Sequence, residues 1–220
     1  MNSSTALLLG GSGLVGGYCL QALLESPAYE KVISVARREL RVAHPKLEQR
    51  VLPLETLNSL ELPPIQDVFC ALGTTIRKAG SQPAFRKIDC ELPLAAAKHT
   101  LKFGAEQFIL VSSVGADSKS KNFYLRTKGE LEDALKSLPF KAVRVLRPSL
   151  LLGDRAESRP LESVGISIGR LLQFLFVGPF RRYHPISADL VGRAMVSAAQ
   201  ANGNGYFVYE YDSIVRMQTK

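Results

Sequence analysis

The segment TALLLGGSGLVG, residues 5–16, carries the strongest indication of the fold of this chain. The apolar run Thr5–Leu9 is short and rich in leucine, which is typical of a strand buried on both faces. A helical pattern then begins at Leu14 and continues to Ser26. Between them the glycines fit two registers, Gly10-x-x-Gly13-x-x-Gly16 and Gly11-x-Gly13-x-x-Gly16. Both registers predict a strand, a tight turn and a helix.

This glycine loop predicts a binding site for the pyrophosphate of a dinucleotide. Glycines at Gly10, Gly13 and Gly16 allow a tight turn and a close approach of the backbone to phosphate. The free N–H groups at the start of the helix attract negative charge. A purely structural turn is the alternative, but the strand before and the helix after favour a dinucleotide. A Walker-type loop is excluded because no Gly-Lys-Ser or Gly-Lys-Thr follows.

The end of the second predicted strand indicates which dinucleotide is bound. NAD-binding units carry an acidic residue on the ribose 2′-hydroxyl about 20 residues after the glycines. Here the strand Val32–Ala36 is followed by Arg37 and Arg38, and no acid stands at its end. Guanidinium groups bind phosphate through charge-assisted hydrogen bonds, so the two arginines favour NADP(H). A solvated basic turn is the alternative interpretation.

Alternating strand and helix patterns predict an α/β fold of the Rossmann type, a doubly wound parallel sheet with helices on both faces. The further strands are predicted at Arg50–Leu54, Asp67–Leu72, Gln107–Val111, Ala142–Leu146 and Tyr206–Tyr211. The further helices are predicted at Gln82–Lys102, Phe123–Ser137 and Ser187–Ala201, and Pro93 should kink or divide the first of these. We expect a single domain over residues 1–220, in which residues 149–185 form a small helical cap over the cofactor cleft.

Composition excludes several classes of protein. The 220 residues are 46% hydrophobic and 22% charged, which rules out a disordered polar chain. A net charge of +8 favours anionic partners, but the basic residues lack the aromatic interleaving of a nucleic-acid surface. The three cysteines and three histidines show no metal-ligand spacing. We therefore expect no metal, no nucleic acid and, in the absence of a targeting pattern or a membrane span, a cytoplasmic location.

Tyr124 and Lys128 form the candidate catalytic pair. Residues i and i+4 share one face of a helix, so the two side chains project together. A nearby ammonium group lowers the pKa of a tyrosine, which makes the phenol an acid or base near neutral pH. Ser113 follows a predicted strand and can donate a hydrogen bond to a reacting carbonyl, with Ser112 as the alternative. A tyrosine beside a solvated lysine is the structural interpretation, but Ser113 and the glycine loop favour catalysis.

Four further motifs add a family resemblance. They are CALGTT at 70–75 with KAG at 78–80, SSVGAD at 112–117, NFYL at 122–125 with KGE at 128–130, and Arg147-Pro148 followed by DRAESRP at 154–160. On these motifs the chain resembles the atypical short-chain dehydrogenases/reductases, and more narrowly the Tat-interacting-protein-like oxidoreductases. The resemblance runs from about residue 5 to about residue 160 and implies a Rossmann fold that binds NADP(H).

The resemblance also assigns residues to parts of the site. It places Ser12, Gly13, Leu14 and Val15 at the pyrophosphate, Arg37 and Arg38 at the 2′-phosphate, Leu72 and Gly73 along the cofactor, Tyr124 and Lys128 beside the nicotinamide, and Leu151 and Arg159 over it. The better-known short-chain dehydrogenases also carry a catalytic asparagine, for which Asp89 is the nearest candidate here.

The sequence therefore predicts an oxidoreductase that transfers hydride to or from a small carbonyl or alcohol substrate. The alternative is a sensor that binds NADP(H) without turnover and acts through a protein partner. The set Ser113, Tyr124 and Lys128 favours the enzyme, because a sensor needs no acid–base tyrosine. The apolar segment Val164–Phe180 predicts a hydrophobic cap or a homodimer surface rather than a membrane-surface helix, because glycine and proline break it.

Overall fold

The computed structural model describes residues 4–153 and 178–217. The strands are β1 Ser4–Leu9, β2 Tyr29–Ala36, β3 Leu47–Val51, β4 Asp67–Cys70, β5 Gln107–Val111, β6 Ala142–Leu146, β7 Leu151–Leu152, β8 Ile186–Ser187 and β9 Gly205–Tyr209. The α-helices are α1 Leu14–Glu25, α2 Ile76–Ala79, α3 Gln82–Arg86, α4 Leu92–Leu101, α5 Phe123–Lys136, α6 Ala188–Ala199 and α7 Tyr211–Arg216. Leu54–Ser59 and Gly178–Tyr183 are 3₁₀ turns, and Lys87–Glu91 is a π-helical turn.

Seven of the strands form one parallel sheet in the order β3-β2-β1-β4-β5-β6-β9. The expected Rossmann-type fold is therefore confirmed. The chain order reverses between β1 and β4, and open α/β sheets bind ligands at such a switch point. Because all seven strands are parallel, their carboxyl ends meet at one edge of the sheet. The candidate residues that follow β1, β2, β4 and β5 are thus gathered at this edge.

The strands read as continuous apolar runs because both faces of the sheet are covered. Successive side chains point to opposite faces, so Ala6 and Leu8 pack with α1 and α6 while Leu7 and Leu9 pack with α4 and α5. All four residues are fully buried. A strand with polar residues on one face would not fit this position, which explains why a short, continuous apolar run correctly predicted β1 as a strand buried on both faces.

Several predicted boundaries differ from the structure. The third strand is Leu47–Val51 rather than Arg50–Leu54, because Pro53 lacks an N–H for the sheet and leads into a 3₁₀ turn at Leu54. Pro93 does divide its helix, since α3 and α4 are separated by the π-helical turn. The last strand ends at Tyr209 and α7 follows, a helix that the sequence pattern did not predict. Of the expected cap at 149–185, residues 154–177 lie outside the described ranges.

A close contact with α6 holds α1 in place and so fixes the helix that follows the glycine loop. A Cβ atom at Gly192 of α6 would lie 2.6 Å from the Cβ of Tyr18 and 2.7 Å from the backbone nitrogen of Cys19. Only glycine lets the two helices approach this closely. Gly17 of α1 is different, because a Cβ there would find its nearest neighbour at an ordinary 3.8 Å.

We predict that Gly192→Ala lowers the free energy of unfolding by roughly 2–3 kcal/mol, because the added methyl forces α1 and α6 apart. Gly17→Ala is the matched control and should be neutral or stabilising by up to about 1 kcal/mol, since alanine is the better helix former. Chemical denaturation of both variants checks the prediction. Equal effects of the two substitutions would contradict the close packing of α1 on α6.

Candidate functional site

The glycine loop forms a tight turn between the end of β1 and the start of α1, and it packs against the chain that follows β4. Gly10 has a φ of +87°, a conformation that residues with a side chain rarely adopt. The N–H of Gly13 donates to the carbonyl oxygen of Gly10 over 2.9 Å. A Cβ at Gly10 would lie 2.6 Å from the Ala71 carbonyl oxygen, and one at Gly16 would lie 2.0 Å from that of Gly10. Gly10 and Gly16 are therefore required by the turn itself, whatever the loop binds.

Gly13 has a different role, because its backbone is not strained. Its φ of −83° and ψ of 170° suit any residue, and a Cβ there would find one described neighbour within 4 Å, the Gly10 oxygen at 3.2 Å. Gly13 is the N-cap of α1, no side chain caps the helix, and its first turn carries no acid. Among the described residues, no side chain accepts from the N–H groups of Leu14 and Val15, and Ser12 beside them is exposed. This arrangement fits a pyrophosphate.

Arg37 and Arg38 follow β2 at the same edge of the sheet, and both are exposed. Neither guanidinium group forms an ion pair within 4 Å with a carboxylate of the described ranges. Other arginines of the chain are engaged, such as Arg147, which pairs with Glu132 at 2.5 Å. The two arginines after β2 therefore remain available for an anion at the place expected for a 2′-phosphate.

Lys128 lies in a buried ion pair with Asp89. The lysine is on α5 and the aspartate is on the π-helical turn, and both are almost fully buried. Their Nζ and Oδ1 atoms are 2.6 Å apart. The other carboxylate oxygen, Oδ2, accepts a 2.8 Å hydrogen bond from the N–H of Thr74. A Cβ at Gly73 would lie 3.5 Å from Oδ1 of Asp89 and 3.9 Å from Nζ of Lys128, so the expected cofactor-lining residue and the lysine are neighbours.

The groups around Lys128 keep its side chain protonated. Burial disfavours the ammonium form and is the largest single influence, but it is outweighed, above all by the interaction with the Asp89 carboxylate, so that the pKa of Lys128 is raised. The lysine is therefore an ammonium group throughout the physiological pH range. The sequence predicted a lysine that acts on Tyr124 and holds the nicotinamide ribose, and it did not predict the buried carboxylate with which the lysine pairs in the structure.

Tyr124 lies one helical turn before Lys128 on α5 and is half-buried. Its ring packs against that of the fully buried Phe85, with 5.5 Å between the ring centroids. Phe123 also contacts Phe85, at 5.9 Å. The start of α5 is thus held by aromatic packing, which restrains the ring of Tyr124.

The two serines after β5 have different environments. The hydroxyl of the buried Ser112 donates to Oε1 of Glu132 over 2.5 Å, inside a network in which Glu132 also accepts from Arg147 and from the hydroxyl of Tyr206. Ser113 is half-buried, and its hydroxyl makes a long 3.4 Å contact with the carbonyl oxygen of Val114. Ser112 is therefore committed to the core, and Ser113 is the serine left to contact a ligand.

The remaining predicted residues fall into two groups. Leu72 and Gly73 follow β4 at the carboxyl edge, and Leu151 on β7 packs in the same apolar cluster as Leu14 and Val15. Arg159 lies outside the described residues. The structure thus brings the glycine loop, the end of β4 and the Tyr124–Lys128 pair to one edge.

Sequence reasoning did not foresee that Asp89 binds Lys128. The one available signal was its place in the family pattern, where an asparagine is expected. A π-helical turn, which often marks a functional site, carries Asp89 toward α5, and spacing alone does not reveal such a turn.

The described ranges hold neither a candidate metal site nor a helix that could cross a membrane. Residues 4–153 and 178–217 contain no group of three or more His, Cys, Asp or Glu residues able to hold a metal ion. No helix within the same ranges is long and apolar enough to span a membrane.

The chain is similar in sequence to several named proteins. It is 33% identical over 213 residues to "Protein fmp52, mitochondrial" of Emericella nidulans, covering 90% of this chain and 88% of the relative. It is 36% identical over 202 residues to "Protein FMP52, mitochondrial" of Saccharomyces cerevisiae, covering 88% of this chain and 86% of the relative. It is 39% identical over 168 residues to "Protein HTATIP2" of Rattus norvegicus, covering 74% of this chain and 69% of the relative. No protein-family model matches the chain.

Solved structures support the fold. MoeE5 in complex with UDP-glucuronic acid and NAD superposes with a TM-score of 0.69 at 18% identity, covering 93% of this chain and 75% of that one. The human epimerase family protein SDR39U1 with NADPH superposes with a TM-score of 0.64 at 18% identity, covering 94% and 74%. At this level of identity the likeness establishes the Rossmann-type fold.

The names of the FMP52 relatives contradict the expected cytoplasmic location. Relatives from several fungi are named as mitochondrial proteins, which points to mitochondria instead. The cytoplasmic expectation rested on the lack of a recognisable targeting pattern, and that lack was not sufficient ground for it.

We predict that Ser112→Ala lowers the free energy of unfolding by about 1–3 kcal/mol, because the buried Glu132 loses a short hydrogen bond from a hydroxyl. Ser113→Ala is the matched control and should change it by less than about 0.5 kcal/mol. Urea denaturation at neutral pH compares the two. A larger effect at Ser113 than at Ser112 would show that the assignment of the two hydroxyls is reversed.

Proposed function

The chain belongs to the family of FMP52 and HTATIP2, and from that premise we propose that it is an NADP(H)-dependent oxidoreductase of the short-chain dehydrogenase/reductase type. The reaction is hydride transfer to or from a small carbonyl or alcohol substrate. The observation that carries the proposal is the position of Tyr124 and Lys128 on one face of α5, at the sheet edge where the glycine loop also opens.

The open N-terminus of α1 supports a nicotinamide dinucleotide as the cofactor. Two structural neighbours are described with NAD and with NADPH, and open α/β sheets bind ligands at the switch point of the sheet, where α1 begins in this chain. In this chain the N–H groups of Ser12, Leu14 and Val15 would hold the pyrophosphate, and Gly13, whose own N–H donates to Gly10, would let it approach closely. Leu72, Gly73 and Leu151 would line the cofactor, and we extend this role to Arg159.

Arg37 and Arg38 support NADP(H) over NAD(H). Both side chains are exposed where β2 ends, and the first acid after the strand, Glu39, comes only after both arginines. An unpaired guanidinium group gains more from a phosphate than one already paired with a carboxylate, because no existing ion pair has to be broken. We therefore propose that the two arginines hold the 2′-phosphate.

The acid–base chemistry is assigned to three residues of the chain. When bound, the reduced nicotinamide supplies a hydride. The hydroxyl of Tyr124 donates a proton to the carbonyl oxygen of the substrate, and that of Ser113 orients the same oxygen by a hydrogen bond. The ammonium group of Lys128 stabilises the negative charge left on Tyr124 and holds the nicotinamide ribose. In the reverse direction the same groups accept the proton of an alcohol.

We predict that the protein binds NADPH more tightly than NADH by roughly 30- to 1000-fold, which corresponds to about 2–4 kcal/mol from two phosphate contacts. The double substitution Arg37→Ala/Arg38→Ala should remove most of this preference and leave NADH affinity nearly unchanged. Calorimetric titration with both cofactors measures it. Arg193→Ala on α6, an exposed arginine paired with Asp189, is the control. Equal affinities in the unaltered protein would refute the assignment of NADP(H).

We predict that Tyr124→Phe lowers kcat by about 100-fold or more, because phenylalanine keeps the packing against Phe85 but has no proton to donate. NADPH affinity should change little, since Lys128 is unaltered. NADPH oxidation is screened over aldehydes, ketones and quinones with both proteins, and Tyr18→Phe on α1 serves as the control. Turnover that survives in Tyr124→Phe would rule out this mechanism. Tight NADPH binding without turnover in the unaltered protein would favour a regulatory role instead.

A further inference from the structure

We propose that Asp89 is a positioning residue that acts through Lys128, fixing its ammonium group at the site and tying it to the backbone that follows β4. The proposal rests on the proposed function in one respect, since the lysine is the group assigned to the ribose and to Tyr124. The juxtaposition itself is independent of any cofactor.

The geometry of Asp89 divides its two oxygens between two tasks. Oδ1 lies 2.6 Å from Nζ of Lys128, and Oδ2 accepts the Thr74 N–H over 2.8 Å. A single carboxylate thus connects α5 with the segment after β4 that is expected to line the cofactor. Asp89 is 1% exposed, so its position is fixed by packing as well as by these contacts. Movement of the β4 segment would be transmitted directly to the lysine.

The electrostatics explain why a carboxylate is needed rather than a neutral acceptor. A fully buried ammonium group without a counter-charge commonly loses its proton, with its pKa lowered by up to ~3–5 units. Three ionisable groups interact with Lys128 from the surrounding elements: Asp89 from the π-helical turn, Tyr124 from α5 and Cys70 from β4. Burial raises the pKa of the Cys70 thiol to about 11, so it is neutral at physiological pH. Asp89 therefore supplies the negative charge that keeps Lys128 protonated.

Asp89→Asn is the variant that separates charge from shape. Asparagine keeps an oxygen that can accept the Thr74 N–H, and its NH₂ group can donate to a neutral lysine amine. It removes only the negative charge. In the unfolded chain Lys128 keeps an ordinary pKa near ~10.4, so the unfolded state of this variant binds one proton more than the folded state. The variant should therefore become more stable, relative to the unaltered protein, as the pH rises.

The first measurement is the folding equilibrium constant of the cofactor-free protein between pH 7 and pH 9, from urea denaturation. For Asp89→Asn, the ratio of this constant to that of the unaltered protein should rise by up to ~10-fold per pH unit. Asp89→Glu retains the carboxylate and should give a ratio that does not change with pH. The double variant Asp89→Asn/Lys128→Met should also give a constant ratio, because the titrating lysine is gone. A constant ratio in a folded Asp89→Asn protein would overturn the proposal.

A failure of Asp89→Asn to fold is also decisive. If Asp89→Asn/Lys128→Met folds where Asp89→Asn does not, the uncompensated lysine charge is the cause and the proposal is supported. If both fail while Lys128→Met alone folds, Asp89 acts through packing and Thr74 only, and the proposal is wrong.

The second measurement is NADPH affinity at pH 8.5. Asp89→Asn should bind NADPH about tenfold or more weakly than the unaltered protein, and Asp89→Glu should stay within about threefold, because the variant amine lacks the charge that strengthens a hydrogen bond. Unchanged affinity in Asp89→Asn would show that the ion pair does not position the lysine for the cofactor. If the unaltered protein binds no NADPH, the proposed function is refuted, while the denaturation series still decides whether Asp89 holds Lys128 charged.

Discussion

The tight turn at the end of β1 is the constraint on which the site depends. Gly10 takes a left-handed conformation and contacts the chain after β4, and Gly16 brings α1 against the same turn. These two contacts determine where α1 begins and which way its first N–H groups point. A side chain at either position would move the start of the helix away from the switch point between β1 and β4. The anion-binding geometry is therefore a consequence of backbone packing, before any ligand is considered.

Charge at this edge of the sheet is arranged in two different ways. Arg37 and Arg38 are exposed and carry no ion pair with the described carboxylates, so they can respond to a ligand that arrives from water. Lys128 is buried and already paired with Asp89. Burial of an ion pair has a large desolvation cost, and the cost is recovered only when the geometry is well fixed. The two exposed arginines are suited to the recognition of a ligand. The buried ion pair of Lys128 and Asp89 is suited to keeping a constant charge near Tyr124.

The sequence predicted the sheet and its order of elements well, because strands buried on both faces leave an unambiguous apolar signal, as at Gln107–Val111 and Ala142–Leu146. It misplaced β3, whose half-exposed residues lack that signal and are followed by Pro53. Within the site it grouped Tyr124 with Lys128, since helix spacing is local. It could not choose between Ser112 and Ser113, nor pair Asp89 with Lys128, because both outcomes depend on contacts between elements distant in sequence.

The net charge of +8 alone suggested several anionic partners, and the structure shows why a total charge is a poor guide. Arg144 is 1% exposed and donates its hydrogen bonds inside the fold, to Gln107, Tyr209 and two backbone carbonyls. Arg147 serves the buried Glu132. Such arginines add to the formal charge, but their hydrogen bonds stabilise the packing of β5, β6 and β9 against one another. Among the described residues, Arg37 and Arg38 follow β2 without an ion pair, so the proposal of a phosphorylated dinucleotide rests on these two cations and on the N-terminus of α1 rather than on the total charge.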